Sequence, residues 1–121
     1  MIIVSKCCAG VPCRYHCRGT MKSRIATLGL HDDFVAVCPE MLGGLPCPRE
    51  GCSIVRGRVI GRRTGCDYTA EYTMGAYAVL EIARTLSVEH AYLLGGSPSC
   101  GRGYGLTARL LESHGITVHA L

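Results

Sequence analysis

Residues 91–101 read AYLLGGSPSCG, an apolar run that ends in a turn of glycine, serine and proline carrying Cys100. Three other short runs have the same character: IIVS at 2–5, FVAVC at 34–38 and ITVHAL at 116–121. All four are apolar on successive residues, which is typical of strands buried on both faces of a sheet. We therefore predict a sheet of four short strands, with Cys100 in the loop that follows the third.

Helical periodicity separates these strands. It is found in three segments, near 21–28, 72–86 and 106–111. Asp67 and Thr69 are the candidate N-terminal caps of the second helix, and Gly115 is placed to end the third. The alternation of strands and helices predicts a single α/β domain over residues 1–121, with a mainly parallel, Rossmann-like sheet flanked by helices.

The segment between residues 39 and 66 is rich in glycine and proline and is too long for a plain connection. Loops of that length are usually functional or disordered. Within this segment, SIVRGRVIG at 53–61 predicts a small hairpin that turns at Arg56 and Gly57.

Composition and charge limit the class of protein. No apolar run approaches the roughly 18–20 residues of a membrane helix, and the N-terminus lacks a signal-peptide cleavage site, so we expect a cytoplasmic protein that does not engage a membrane.

The net charge of +4 permits an anionic ligand without requiring one. With no tryptophan and one phenylalanine, the chain offers little aromatic surface for stacking bases. The four arginines at 56, 58, 62 and 63 are typical of a solvated hairpin, and a nucleic-acid partner is not favoured.

Cysteine is far above its usual abundance, at nine of 121 residues. In a reducing cytosol such density indicates metal or redox chemistry more than disulfides. Cys7 and Cys8 follow the first predicted strand, Cys38 ends the second and Cys100 follows the third. Because the carboxyl ends of parallel strands line one edge of a sheet, we expect these cysteines to converge there.

The cysteine spacing alone does not choose among the groups that converging thiolates bind. Three thiolates on a zinc ion leave one coordination position open, whereas four close a structural zinc site. Iron–sulfur clusters are also held by thiolates, usually by four cysteines. Buried unliganded thiols and a dithiol redox site are the further alternatives.

Four stretches of the chain resemble the thiouracil desulfurase family, first catalogued as domain of unknown function 523. They are SKCCAGVPCRY at 5–15, VCPEMLGGLPCPR at 37–49, GCDYTAEYTMGA at 65–76 and SPSCG at 97–101. The resemblance runs in order from residue 2 to about 119. It implies an α/β domain with a 4Fe–4S cluster held by three cysteines at the carboxyl ends of the strands.

The resemblance also implies the ligands and the reaction. The family's ligands fall on Cys7 in the S-x-C-x-x-G frame, on Cys38 of VCPE and on Cys100 of SPSCG. The fourth iron is then open and binds the sulfur of a thiolated pyrimidine, a small molecule. Water replaces that sulfur without net redox change, and sulfide is released. The sequence leaves open whether the protein is a monomer or a homodimer.

Three residues are candidates for the catalytic steps. Glu40, two residues after Cys38, is the candidate base that activates water; Cys13 is a candidate for proton transfer, and Ser97 is the third. The chain departs from the family in reading RYHC at 14–17, where many relatives read RYDG, and in its additional cysteines. Of these we expect Cys66 to be a packing residue.

A competing hypothesis is an iron–sulfur or zinc-binding module that does not hydrolyse anything. Such a sensor, or an electron or sulfur carrier, would use one of Cys8, Cys13 or Cys17 to close the fourth coordination position. A substrate-induced change in the spectrum of the cluster separates the two hypotheses, since a fully thiolate-bound cluster has no open iron.

Overall fold

The computed structural model describes residues 1–9, 13 and 33–121. The helix predicted near 21–28 and the RYHC stretch at 14–17, with His16 and Cys17, lie outside the described residues.

A parallel sheet of four strands forms the centre of the fold. The strands are β1 (Ile2–Ser5), β2 (Phe34–Val37), β5 (His90–Leu93) and β6 (Thr117–Ala120). Their order across the sheet is β2-β1-β5-β6, and every neighbouring pair is parallel. The four predicted strands and the mainly parallel sheet are thereby confirmed. All four residues of β1 are buried, as a central strand requires.

Three α-helices are found in the described part of the chain: α1 (Pro39–Leu42), α2 (Thr69–Thr85) and α3 (Leu106–Ser113). The predictions of α2 and α3 are confirmed. The N-cap of α2 is Tyr68, without a side-chain cap bond, so neither Asp67 nor Thr69 is the cap, although Asp67 Oδ1 accepts the backbone N–H of Thr69 at 2.9 Å. Gly115 has φ +81° just beyond α3. The sequence did not predict α1, because four residues are too few to display a helical period.

The long glycine- and proline-rich segment contains the predicted hairpin. Strands β3 (Cys52–Val55) and β4 (Arg58–Gly61) pair antiparallel. Arg56 and Gly57 both have positive φ, 50° and 77°, as a tight two-residue hairpin turn requires. This confirms the predicted hairpin and its turn.

Helices α2 and α3 pack on one face of the sheet. Their apolar side chains join those of the strands in one buried cluster that includes Ile3, Val37, Val79, Leu80, Leu93, Leu111 and Val118. The longest helix in the described ranges has 17 residues. No helix in these ranges is long and apolar enough to cross a membrane.

Helix α1 lies directly against α2 because two glycines permit it. A Cβ atom on Gly75 of α2 would collide with the backbone carbonyl of Pro39, and one on Gly43 would collide with that of Glu71. Backbone atoms cannot move aside as the end of a flexible side chain can. The contact therefore fixes the position of α1, and of Glu40 within it, relative to α2.

Candidate active site

A pocket of about 230 Å³ lies at the carboxyl ends of β1, β2 and β5. All six site residues predicted from the sequence line it: Cys7, Cys13, Cys38, Glu40, Ser97 and Cys100. Cys7 lines the pocket, whereas its neighbour Cys8 is completely buried in the apolar cluster beside it. The cysteines distant in sequence thus meet at one place, as their positions at the carboxyl ends of parallel strands led us to expect.

Cys7, Cys38 and Cys100 are each positioned by the end of a different strand. Cys7 lies in a 3₁₀ turn over Lys6–Ala9 that continues from β1. Cys38 is the extended residue between β2 and α1, with φ −121° and ψ 101°. Cys100 lies in the turn after β5 and is 5% exposed.

The turn that carries Cys100 is fixed by its own hydrogen bonds. Ser97 Oγ accepts the backbone N–H groups of Ser99 and Cys100, both at 3.1 Å. Tyr104 Oη accepts the N–H of Gly96 at 2.6 Å, and its ring occupies the space that a side chain on Gly101 would need. Gly101 thus leaves room for the Tyr104 ring, and Gly96 and Gly103 have positive φ, 79° and 89°, which glycine adopts readily.

Hydrogen bonds among the thiols around the pocket, together with burial, shift their pKa values. A hydrogen bond with Cys13 lowers the pKa of Cys7, but a hydrogen bond with Cys8 and burial outweigh it and raise that pKa to about 11. A hydrogen bond with Cys13, together with burial, raises the pKa of Cys38. Burial raises the pKa of Cys100 to about 12. Without a cation these groups hold protons at neutral pH, and a bound metal centre would stabilise their thiolates.

This donor set fits an iron–sulfur cluster. Among residues 1–9, 13 and 33–121, no three His, Cys, Asp or Glu side chains are arranged to hold a single metal ion. A 4Fe–4S cluster needs one thiolate per bound iron rather than convergence on one atom, and cysteine sulfur is its usual ligand. Cys7, Cys38 and Cys100 bring three thiols from three strand ends to one pocket.

Glu40 accepts hydrogen bonds from three side chains at the pocket. Its Oε1 accepts hydrogen bonds from Arg49 Nε and from Tyr72 Oη, each at 2.8 Å. Its Oε2 accepts one from Ser99 Oγ at 3.0 Å. An ionised carboxylate has about four acceptor positions, and these three bonds leave one of them for a further donor.

Arg49 contacts four residues at the pocket wall. Besides Glu40, it donates from Nη1 to the Pro46 carbonyl at 3.2 Å and from Nη2 to the Cys13 carbonyl at 3.0 Å. The same Nη2 lies 3.8 Å from Cys38 Sγ. Burial lowers the pKa of Arg49, but the charge of Glu40 and the hydrogen bond to it outweigh burial, so the pKa is raised.

Sequence reasoning did not identify Arg49 or Tyr72 as parts of the site. Tyr72 belongs to the apolar stripe of α2 and is 1% exposed, so its pattern is that of a core residue. Arg49 follows a proline-rich loop and gives no periodic signal. Both lie close to Glu40 only through the contact between α1 and α2 and the path of the loop after α1.

Two other predictions concern the surroundings of the pocket. Cys66 is exposed, so the expectation that it is a packing residue is wrong. Arg62, expected on a solvated hairpin, is exposed and also lines the pocket. Arg62 also lines a second, more open groove of about 550 Å³, whose walls include Tyr104 and Arg109.

The site can be compared with known proteins. The family model described as 2-thiouracil desulfurase matches residues 2–121. A curated relative, the uncharacterized protein YbbK of Bacillus subtilis (strain 168), is 33% identical, with 98% of this chain and 93% of the relative aligned. The solved structure of TudS, a 4Fe–4S-dependent thiouracil desulfidase, matches with a TM-score of 0.87 and 36% identity over 98% of this chain and 89% of TudS. The resemblance drawn from the sequence motifs is confirmed: this chain belongs to the 2-thiouracil desulfurase family.

Proposed function

We propose that this protein is an iron–sulfur-dependent desulfidase that removes sulfur from a thiolated pyrimidine or a related small molecule. The observation that carries the proposal is the pocket in which Cys7, Cys38 and Cys100 meet Glu40, in a chain of this family. In the reaction, a C=S group and one water give a C=O group and one hydrogen sulfide. The carbon keeps its oxidation state, so no electron donor or acceptor is required.

Cys7, Cys38 and Cys100 are the proposed ligands of a 4Fe–4S cluster. When bound, a cluster held by three cysteines supplies one open iron, a Lewis acid for the sulfur of the substrate. The similarity to TudS, a 4Fe–4S-dependent desulfidase, supports the assignment. Of these three thiols, those of Cys7 and Cys100 are buried and that of Cys38 is half-buried.

Glu40 is the proposed base that activates the attacking water. Its carboxylate is held by three donors, and the free acceptor position is available to a water molecule. The bonds to Arg49 and Tyr72 hold Oε1, while Ser99 holds Oε2. A carboxylate with its orientation fixed on both oxygens is positioned for proton transfer without reorganisation.

Cys13 and Ser97 are proposed to assist proton transfer. Cys13 is 4% exposed and forms hydrogen bonds with Cys7 and Cys38, so its thiol lies among the proposed ligands. Ser97 Oγ lies 2.9 Å from Ser99 Oγ, which in turn contacts Glu40. The two hydroxyls link the Glu40 carboxylate to the Cys100 turn.

The second candidate function is a module that holds a metal centre without hydrolysis. The position of Cys13 favours it, because a thiol between Cys7 and Cys38 is placed to serve as a fourth ligand. In that case thiopyrimidines would leave the spectrum of the metal centre unchanged.

Sulfide release by the reconstituted protein tests the proposed function. With 4-thiouracil or 2-thiouracil under anaerobic conditions, we expect uracil and sulfide to form in equal amounts. The apoprotein, lacking iron, is the control and should release neither product. A protein that holds its full complement of iron and releases no sulfide from either compound would disprove the desulfidase.

A further inference from the structure

Arg49 is the one cation among the described residues that contacts both the proposed base and a proposed cluster ligand. Its guanidinium donates to Glu40 Oε1 at 2.8 Å through Nε and approaches Cys38 Sγ at 3.8 Å through Nη2. The Arg49 side chain is 6% exposed, and that of Glu40 is 11% exposed. Water therefore does little to weaken the interactions of either charge.

The geometry uses the whole guanidinium group. Nε, Nη1 and Nη2 have separate partners on Glu40, Pro46 and Cys13, and Nη2 is shared with the thiol of Cys38. This planar, branched donor has no equivalent in lysine, whose ammonium is a point charge. Arg62, which lines the same pocket, instead donates from Nε to Ser53 Oγ at 2.9 Å.

A cation near a thiolate ligand changes the cluster that the thiolate holds. An N–H···S interaction withdraws electron density from the sulfur, and hydrogen bonds to sulfur are among the factors that set the reduction potential of a cluster. Less electron density on the iron also makes it a stronger Lewis acid toward a substrate sulfur. Arg49 would thus act on both partners of the reaction, the metal centre and the base.

We infer that Arg49 is a positioning residue that couples the proposed base to the metal centre. It orients the Glu40 carboxylate and withdraws electron density from the Cys38 thiolate. The inference rests on the proposed function, since it requires a cluster on Cys38. It predicts that loss of the guanidinium lowers the reduction potential of the cluster, an effect that a purely structural role would not produce.

The test measures the midpoint potential of the reconstituted cluster by anaerobic titration followed by electron paramagnetic resonance. Arg49→Gln alone would leave Glu40 as a buried charge without its partner, so it is made together with Glu40→Gln and compared with Glu40→Gln alone. Arg49→Lys, compared with the wild type, is the second variant because it keeps the positive charge. Arg62→Gln is the matched control, an arginine of the same pocket whose side-chain bond is to Ser53.

We expect the double variant to have a lower potential than Glu40→Gln, and Arg49→Lys a lower potential than the wild type. The potential of Arg62→Gln should equal that of the wild type. Unchanged potentials in both Arg49 variants, in a wild-type protein that does desulfurate, would overturn the inference and leave the proposed function intact. Loss of iron from both Arg49 variants would also overturn the inference, because Arg49 would then be needed for the cluster to bind at all. A wild type that binds no iron would instead overturn the proposed function, and the inference with it.

Discussion

Ser99 and Glu40, 59 residues apart in the chain, are joined by a hydrogen bond of 3.0 Å between Ser99 Oγ and Glu40 Oε2. Ser99 precedes Cys100, and its hydroxyl lies 3.7 Å from Cys100 Sγ. Glu40 follows Cys38 by two residues, in α1. One hydrogen bond thus ties together the segments that carry two of the three proposed ligands, and it places the proposed base between them.

Replacing Glu40 by glutamine should greatly reduce turnover while the protein keeps its iron. Removal of a positioned general base typically costs about 10²–10⁴-fold in rate. Glutamine has nearly the shape of glutamate and leaves the cysteines untouched. The measurement is kcat for sulfide release, together with iron per chain, and Glu81→Gln on the exposed face of α2 is the control. Unchanged turnover in Glu40→Gln would rule out Glu40 as the base.

Because α1 contacts α2 so closely, we expect a glycine-to-alanine substitution in α2 to destabilise the protein, the opposite of its usual effect in a helix. Alanine in place of glycine within a helix ordinarily adds about 1 kcal/mol of stability. At Gly75 the added Cβ would collide with the carbonyl of Pro39, and overpacking of this kind typically costs about 1–3 kcal/mol. We therefore expect Gly75→Ala to lower the free energy of unfolding, measured by denaturant titration. A gain in stability would show that α1 shifts without cost.

The lowered pKa of Glu50 predicts how the stability of the protein changes in acid. Hydrogen bonds from the Thr64 and Tyr68 hydroxyls, together with backbone N–H groups, lower its pKa from 4.5 to about 2. A carboxyl whose pKa is lower in the folded state stabilises the protein above its unfolded pKa, and this contribution is lost as the pH falls through the folded value. Glu50→Gln should therefore melt at a lower temperature than the wild type at neutral pH.

The difference in melting temperature between Glu50→Gln and the wild type should shrink as the pH falls from about 4.5 to about 2. Melting curves by circular dichroism across this range make the comparison. Glu89→Gln, a change at an exposed carboxyl of the surface, is the control. A difference that is the same at every pH would mean that the charge of Glu50 is not what stabilises the hairpin end.

The proposed ligands predict which cysteine variants lose iron. Cys7→Ala, Cys38→Ala and Cys100→Ala should each fail to retain a 4Fe–4S cluster, because each removes one of three thiolates that hold it. Cys66→Ala is the matched control, since Cys66 is a free, exposed thiol that does not line the pocket. Iron and acid-labile sulfide per chain, after identical anaerobic reconstitution, give the result. Full occupancy in Cys100→Ala would remove Cys100 from the ligand set.

Much of the fold was predictable because strands and helices have local patterns. The runs at 2–5 and 91–95, and the stripe of α2, are periodic signals that survive in the structure. The strand order then brought Cys7, Cys38 and Cys100 to one edge of the sheet, where the pocket lies. These inferences needed only periodicity and the geometry of a parallel sheet, whereas the choice of Cys7 over Cys8 came from the family resemblance.

The environment of Glu40 was not predictable in the same way. Its partners Arg49, Tyr72 and Ser99 come from three segments, and their convergence depends on the close approach of α1 to α2. Helix α1 has four residues and no period, so nothing in the local pattern announces it. Its position two residues after Cys38 pointed to Glu40, but the hydrogen bonds that orient it follow from the tertiary structure.

In the proposed site, three cysteines hold a cluster with an iron open to substrate sulfur. The most direct test is to measure iron, acid-labile sulfide and zinc per chain after anaerobic reconstitution, with visible spectra before and after addition of 4-thiouracil. We expect about four iron and four sulfide per chain, as a 4Fe–4S cluster contains, and a spectral change when the thiopyrimidine binds. One zinc and no iron, or a full cluster whose spectrum 4-thiouracil leaves unchanged, would contradict this proposal.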